Sequence, residues 1–278
     1  MTKEMLLANS IDMDATLFSG QAFRWVRTET GFIGAVEDNA AIIHALQDGY
    51  RLRWDGSADE GYWHNYFDMR RDYGAIAACY SADTNAYTAF ELCGGLHVLN
   101  QPLWETLCAF IISANNNDKR IRLIMRRICE SLGEAREIDG HRIYLFPRAE
   151  TMAGAGTAKL KELGTGYRAQ YLAETSKRVA EGYNLEALRE IGYEEALEEL
   201  ITFKGVGDKV ANCILLFACG YTCAFPVDVW VERVMQRLYG IEGNRKQIKE
   251  KSIEIFGTYA GLVQQVLFHS ARKSELPL

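Results

Sequence analysis

The chain has 278 residues, 48% of them apolar, and a formal net charge of −6 at pH 7. That length and apolar content suit one large or two modest domains, and no apolar run approaches the roughly 20 residues that cross a bilayer. Seven cysteines without paired spacing read as buried thiols of a reducing compartment, not a disulfide framework.

Residues 1–97 read as an antiparallel β domain with short helices. Residues 21–26 alternate polar and apolar, as a strand does. Residues 32–36, 40–45 and 50–54 follow at short intervals, with Glu37-Asp38-Asn39 and Gln47-Asp48-Gly49 as turns, which predicts a meander. Residues 62–67 and 84–92 read as short helices. From about Leu99 the pattern is helical, so residues 98–278 form an all-helical region and the fold class is α+β. Pro102 suits a first helical turn, after which Leu103, Leu107, Phe110 and Ile111 share a stripe. Asn115, Asn116 and Asn117 break the run, since asparagine favours caps and turns over helix interiors. A basic amphipathic helix follows, with Ile121, Ile124, Met125 and Ile128 inward and its arginines outward. Residues 145–147 start a further connection, and residues 163–168 form a glycine turn that opens a helix. Further helices are predicted over 193–202, through Cys213 to Phe217, after Asp228 to Tyr239, and over 246–256 and 259–272.

Charge is uneven along this chain. Residues 118–127 hold Lys119, Arg120, Arg122, Arg126 and Arg127 against Asp118, while acids crowd residues 186–199. Local patches, not net charge, govern affinity for phosphates, although each basic stretch alone also reads as a solvated helix face.

Between two predicted helices lies Phe203-Lys204-Gly205-Val206-Gly207-Asp208-Lys209-Val210-Ala211. Gly-Val-Gly lets the backbone turn tightly with its amides outward, and a helix N-terminus behind such a turn presents N–H donors to a phosphate. Lys209 follows in the first turn, where a cation opposes the helix dipole at a cost of roughly 0.3–1 kcal/mol. A local violation of this kind marks functional positions. Taken singly, the hairpin reads as a DNA-binding module, Lys209 as a phosphate contact and Asp228 as a helix N-cap. Taken together, they allow a lysine amine to attack a sugar carbon and form a Schiff base, with a carboxylate to accept its proton or stabilise a developing sugar cation. Cys213 lies one turn beyond Lys209 on the same face and would share any pocket. Gln264 and Phe268 form an amide–aromatic pair at i, i+4 spacing, able to hydrogen-bond and stack on a flat heterocycle or simply to fill the core.

The stretch from Phe203 to Asp228 resembles the helix-hairpin-helix–GPD superfamily of DNA base-excision glycosylases. Lysine after the hairpin and aspartate nineteen residues later match its bifunctional branch. Within that branch the chain resembles the 8-oxoguanine DNA glycosylases, through Ser19-Gly20-Gln21-Ala22-Phe23-Arg24-Trp25, Asn115-Asn116-Asn117, Gly164-Thr165-Gly166-Tyr167-Arg168-Ala169, Pro226-Val227-Asp228 and Val266-Leu267-Phe268, in that order. The resemblance implies two helical subdomains with the DNA and base site between them. It implies duplex DNA with 8-oxoguanine opposite cytosine as substrate, a flipped nucleotide, Lys209 as nucleophile, Asp228 assisting, and β-elimination at the resulting abasic (AP) site. Gly20 would offer its carbonyl to N7–H of 8-oxoguanine. Normal guanine carries an acceptor at N7 and would be repelled. Phe268 and Cys213 would sandwich the base and Gln264 would bond its Watson–Crick edge. Asn115 and Tyr167 would fill the hole and wedge the stack, Arg120 and Arg168 would read the orphaned cytosine, and the amides of Gly205 and Gly207 would hold backbone phosphate. The resemblance implies no cofactor; its hairpin carbonyls are a place for a structural cation. Two positions depart from the pattern: Trp230 stands where a histidine is usual, and Phe217 where a smaller residue is expected.

Related enzymes of the endonuclease III and adenine glycosylase kinds carry an iron–sulfur cluster on four C-terminal cysteines, whereas no cysteine follows Cys223 here. Glycosylases for alkylated bases usually lack the lysine. Glycosylases for other damaged bases, or a non-catalytic hairpin module, are the alternatives. The expectation is a monomer acting on DNA, without a membrane segment and without a targeting signal, cytoplasmic and nucleoid-associated in a prokaryote or nuclear in a eukaryote.

Overall fold

The structure, a computed structural model, describes residues 2–273. Five antiparallel strands form the first layer: β1 (Lys3–Leu7), β2 (Val26–Arg27), β3 (Gly31–Val36), β4 (Asn39–Leu46) and β5 (Gly49–Asp55), in the order β1-β5-β4-β3-β2. The predicted meander is β3 to β5. In β4 the apolar run from Ala40 to Ile43 is buried on both faces, as near-continuous hydrophobic strands are. Ala41 and Ile43 face an aromatic core with Trp25, Trp54, Trp63 and Phe67. Ala40 and Ile42 face Ile138 and Ile143 of a hairpin inserted among the helices, β6 (Ala135–Ile138) and β7 (His141–Tyr144).

Residues 21–25 are not a strand, contrary to the alternation read there; only Val26 and Arg27 pair, with Ile33 and Phe32. Both Gln21 and Trp25 are buried, and Gln21 is a hydrogen-bonding hub for the surrounding backbone. Lys3–Leu7 and the short helix α1 (Met13–Phe18), capped by Asp12, carried no clear sequence pattern.

The helices α2 (Glu60–Tyr66), α3 (Tyr73–Cys79) and α4 (Thr84–Leu92) each start at an aspartate whose side chain accepts an amide of the first turn. Ile76, Ala86, Ala89 and Phe90 join the core of the helical body, and α4 packs against the last helix. That body comprises α5 (Leu103–Ser113), α6 (Asp118–Leu132), α7 (Ala149–Leu160), α8 (Arg168–Ala180), α9 (Tyr193–Ile201), α10 (Asp208–Phe217), α11 (Val229–Tyr239), α12 (Arg245–Phe256) and α13 (Ala260–Arg272). On α6 the predicted isoleucine and methionine stripe is buried, but Arg122 turns inward, not outward. Its guanidinium donates to the carbonyls of Leu17, Ala22 and Trp25 at 3.2, 2.8 and 3.0 Å and lies 4.6 Å from the Phe18 ring. No helix among the described residues is long and apolar enough to cross a membrane.

Candidate active site

The helix-hairpin-helix is α9, the turn at 202–207 and α10. Phe203 and Val206 are buried and anchor it, with the Val206 amide donating to the Phe203 carbonyl at 3.0 Å. Gly205 has φ +84°, and a Cβ there would lie 2.5 Å from the Tyr171 ring of α8, so the turn needs glycine twice over. Gly207 differs: its φ is −99° and nothing lies within 4 Å of where a Cβ would be. It is the N-cap of α10 and supplies no side chain to the first-turn amides, which leaves them for a ligand.

Lys209 is half-buried in the first turn of α10, its ammonium 5.3 Å from the centre of the Phe110 ring. Phe217, at the other end of α10, stacks on Phe110 at 5.6 Å. Cys213 is buried one turn beyond Lys209 on the same helix. Burial pushes the Cys213 thiol above its usual range, against the pull of the lysine charge. Asp228 is the N-cap of α11, its Oδ1 accepting the Trp230 and Val231 amides at 2.9 Å each. Its backbone is thus fixed by the cap, and its carboxylate lines the same cleft as Lys209.

Gly20, Cys213, Gln264 and Phe268 line that cleft too, with Phe110, Phe217 and Pro226. Gly20 has φ +85°, and the Phe268 ring lies 3.6 Å from where its Cβ would be. Gln264 is buried, and its Oε1 has no hydrogen-bond partner among the described residues, so an acceptor is left waiting for a donor. The cavity measures only about 40 Å³, close to the ~30 Å³ share of one water molecule. Two grooves of about 530 and 520 Å³ lie elsewhere and contain none of these residues.

A second group gathers outside the cleft, at the loop between α5 and α6. Asn115 is exposed with φ +49°. Tyr167 is 55% exposed and its hydroxyl reaches the Ala114 carbonyl at 3.4 Å. Arg168 is buried; its Nε donates to the Ala114 carbonyl at 2.9 Å and its Nη2 to that of Asn115 at 3.2 Å. Arg120 is exposed in the first turn of α6, whose N-cap is Asn117. Trp230 is 42% exposed beside Asp228. Among the described residues no group of three or more His, Cys, Asp or Glu side chains is placed to hold a metal ion.

Sequence reasoning missed Phe110 as the ring beneath Lys209, and Ser19 and Gln265 at the back of the cleft. The signal for Gln265 was available: two adjacent glutamines interrupt an apolar stretch of α13, and buried amides need partners.

The superfamily described as HhH-GPD base excision DNA repair proteins matches residues 108–257, and the N-terminal domain of 8-oxoguanine DNA glycosylase matches residues 5–107. An N-glycosylase/DNA lyase of Saccharomyces cerevisiae is 34% identical over 211 residues, covering 63% of this chain and 56% of that protein, so the match spans just over half of the yeast relative. A protein of Methanothermobacter thermautotrophicus named Probable N-glycosylase/DNA lyase is 30% identical over 76% of this chain and 74% of its own length. The 8-oxoguanine glycosylase/lyase of Clostridium acetobutylicum, solved with double-stranded DNA containing cytosine opposite 8-oxoG, superposes with a TM-score of 0.90. It is 32% identical and covers 99% of both chains.

Proposed function

The chain belongs to the HhH-GPD superfamily of base excision DNA repair proteins and carries the N-terminal domain of the 8-oxoguanine DNA glycosylases; from that premise we propose that it is a bifunctional glycosylase that removes 8-oxoguanine opposite cytosine from duplex DNA and then cleaves the abasic strand. The observation that carries the reading is the convergence of Lys209 and Asp228 with Gly20, Cys213, Gln264 and Phe268 in one cleft, brought from three separate parts of the chain.

The steps follow from that arrangement. The damaged nucleotide swings out of the helix, and Phe268 moves off Gly20 to admit the base, because the cavity is too small for a purine. Phe268 and Cys213 then hold the two faces of the base. The Gly20 carbonyl accepts a hydrogen bond from N7–H, and the unpartnered Gln264 Oε1 accepts one from an N–H of the Watson–Crick edge. The Lys209 amine, its proton passed to Asp228 or water, forms a bond to C1′ as the C1′–N9 bond breaks and the base leaves with its electron pair. The sugar ring opens to a Schiff base, a C2′ proton is removed, and the C3′–O bond breaks to release the 3′ phosphate. Gly205 and Gly207 hold the backbone, Asn115 and Tyr167 fill the vacated stack, and Arg120 and Arg168 meet the orphaned cytosine, Arg168 after leaving the Ala114 carbonyl. No cofactor enters this chemistry, and one chain supplies every group.

Borohydride trapping tests it. With duplex containing 8-oxoguanine opposite cytosine, the reduced adduct is expected from the wild type and absent from Lys209→Gln, with base release falling by at least about a thousandfold. Base release without an adduct would identify a monofunctional glycosylase, and binding without base release a DNA-binding module.

A further inference from the structure

We infer that Gln265 is a positioning residue for base recognition, acting through Ser19 on the Gly20 carbonyl; this deepens the glycosylase reading and rests on it. Gly20 sits at φ +85° in a loop without regular hydrogen bonding, yet the neighbours on both sides are held. On one side Gln265 Nε2 donates to the Ser19 carbonyl at 3.2 Å and to Ser19 Oγ at 2.9 Å. On the other, Gln21 Nε2 donates to the Thr16 and His97 carbonyls at 2.8 Å each, its Oε1 accepts the Leu99 amide at 2.8 Å, and its carbonyl accepts from Gln101 Nε2 at 2.8 Å. The Gln101 amide continues to the Phe217 carbonyl at 2.8 Å, at the end of the helix that carries Lys209.

Gln265, Ser19 and Gln21 are each no more than 2% exposed. Buried amides in a network of this kind hold geometry at a cost when any member is left unpaired. The two sides are not equivalent. Gln21 ties the loop to residues 97–101, whereas Gln265 hydrogen-bonds it to α13, the helix that also presents Gln264 and Phe268. Recognition of 8-oxoguanine against guanine needs the Gly20 acceptor and the Gln264 amide at a fixed separation, one on each edge of a rigid base. Gln265 is adjacent to Gln264 and bonded to the residue before Gly20, so it sets that separation. Gln265 also lines the cleft, with its amide nitrogen engaged by Ser19 and not by Lys209.

The consequence separates the two half-reactions. Release of 8-oxoguanine needs the Gly20–Gln264 spacing; cleavage at a preformed abasic site has no base to position and needs only Lys209, Asp228 and the DNA contacts. Replacement of Gln265 by the near-isosteric Met removes both hydrogen bonds while keeping the volume. The expected result is an 8-oxoguanine release rate about tenfold lower, the scale of one or two lost hydrogen bonds, with cleavage of an abasic duplex unchanged. Ser19→Ala, which removes the shorter of the two bonds and also the 3.3 Å bond from Gln21 Nε2 to Ser19 Oγ, should give a partial loss of the same kind, and the double variant a loss smaller than the sum of the two. Equal losses in both half-reactions, no loss in either, or additive losses in the double variant would overturn the inference, since a merely structural role would move both activities together. A wild type that cleaves abasic DNA but never releases 8-oxoguanine would overturn the parent reading instead.

Discussion

At the scale of the residue, His97 shows how a side chain outside the cleft reports on its support. Its carbonyl is one of the groups held by Gln21, while its ring stacks on Tyr73 at 4.4 Å and its Nδ1 hydrogen-bonds the Phe67 carbonyl at 2.9 Å. Burial holds its pKa below the usual histidine value; the Phe67 carbonyl and Asp68 oppose that shift, and Arg71 adds to it. A histidine with a depressed folded pKa takes up its proton in the unfolded chain first. Its contribution is therefore fully present above the unfolded value of about 6.5 and declines as pH falls below it. The stability difference between wild type and His97→Gln is expected to narrow as pH drops through that region, as followed by urea denaturation at a series of pH values. A difference constant with pH would place the titration elsewhere. Lys209 and Asp228 were legible in the sequence because each sits at a fixed offset from a local signal, the hairpin glycines and the Pro226 turn. Phe110 was not, because only tertiary packing brings α5 beneath α10.

At the scale of the element, the hairpin separates two glycines that look alike in sequence. Gly205→Ala places a Cβ against the Tyr171 ring at a left-handed φ, and should destabilise the fold by about 2–3 kcal/mol. Gly207→Ala meets neither obstacle, and its cost should be about 1 kcal/mol or less, the difference between glycine and alanine at an N-cap. The added methyl stands at the approach to the α10 amides, so DNA affinity should fall several-fold, as read by fluorescence anisotropy at fixed salt. Unchanged affinity in Gly207→Ala would remove that glycine from the phosphate contact. Helices with sustained periodicity were readable, as α6, α9 and α11 illustrate. β6 and β7 were not, because strands of four residues exposed on most positions carry no alternation to detect. The 21–26 segment, Gln-Ala-Phe-Arg-Trp-Val, failed for another reason: it does not alternate strictly, and its first polar residue, Gln21, is buried as a network centre.

At the scale of the whole molecule, the β6–β7 hairpin covers the outer face of the sheet, and Arg24 joins the parts, bonded to Glu105 of α5 at 2.9 Å and to the Tyr144 carbonyl of β7. Ile138→Asp would place a carboxylate against Ala40 and Ile42, which should lower stability by about 3 kcal/mol. Chemical denaturation would measure this, and a loss below about 0.5 kcal/mol would show that the hairpin is not fixed to the sheet. The bond between Ser19 and Gln265 spans 246 residues of sequence. That span has a consequence for synthesis. Chains emerge from the ribosome N-terminus first and their parts fold as they appear, so α13 is the last described element to arrive. Before it docks, a nascent or truncated chain already holds Gly20, Lys209 and Asp228 but has no Gln264, Gln265 or Phe268, the residues that complete the cleft. A nonsense product ending before Ala260 would thus keep Gly20, Lys209 and Asp228 of the cleft and lose the whole α13 wall.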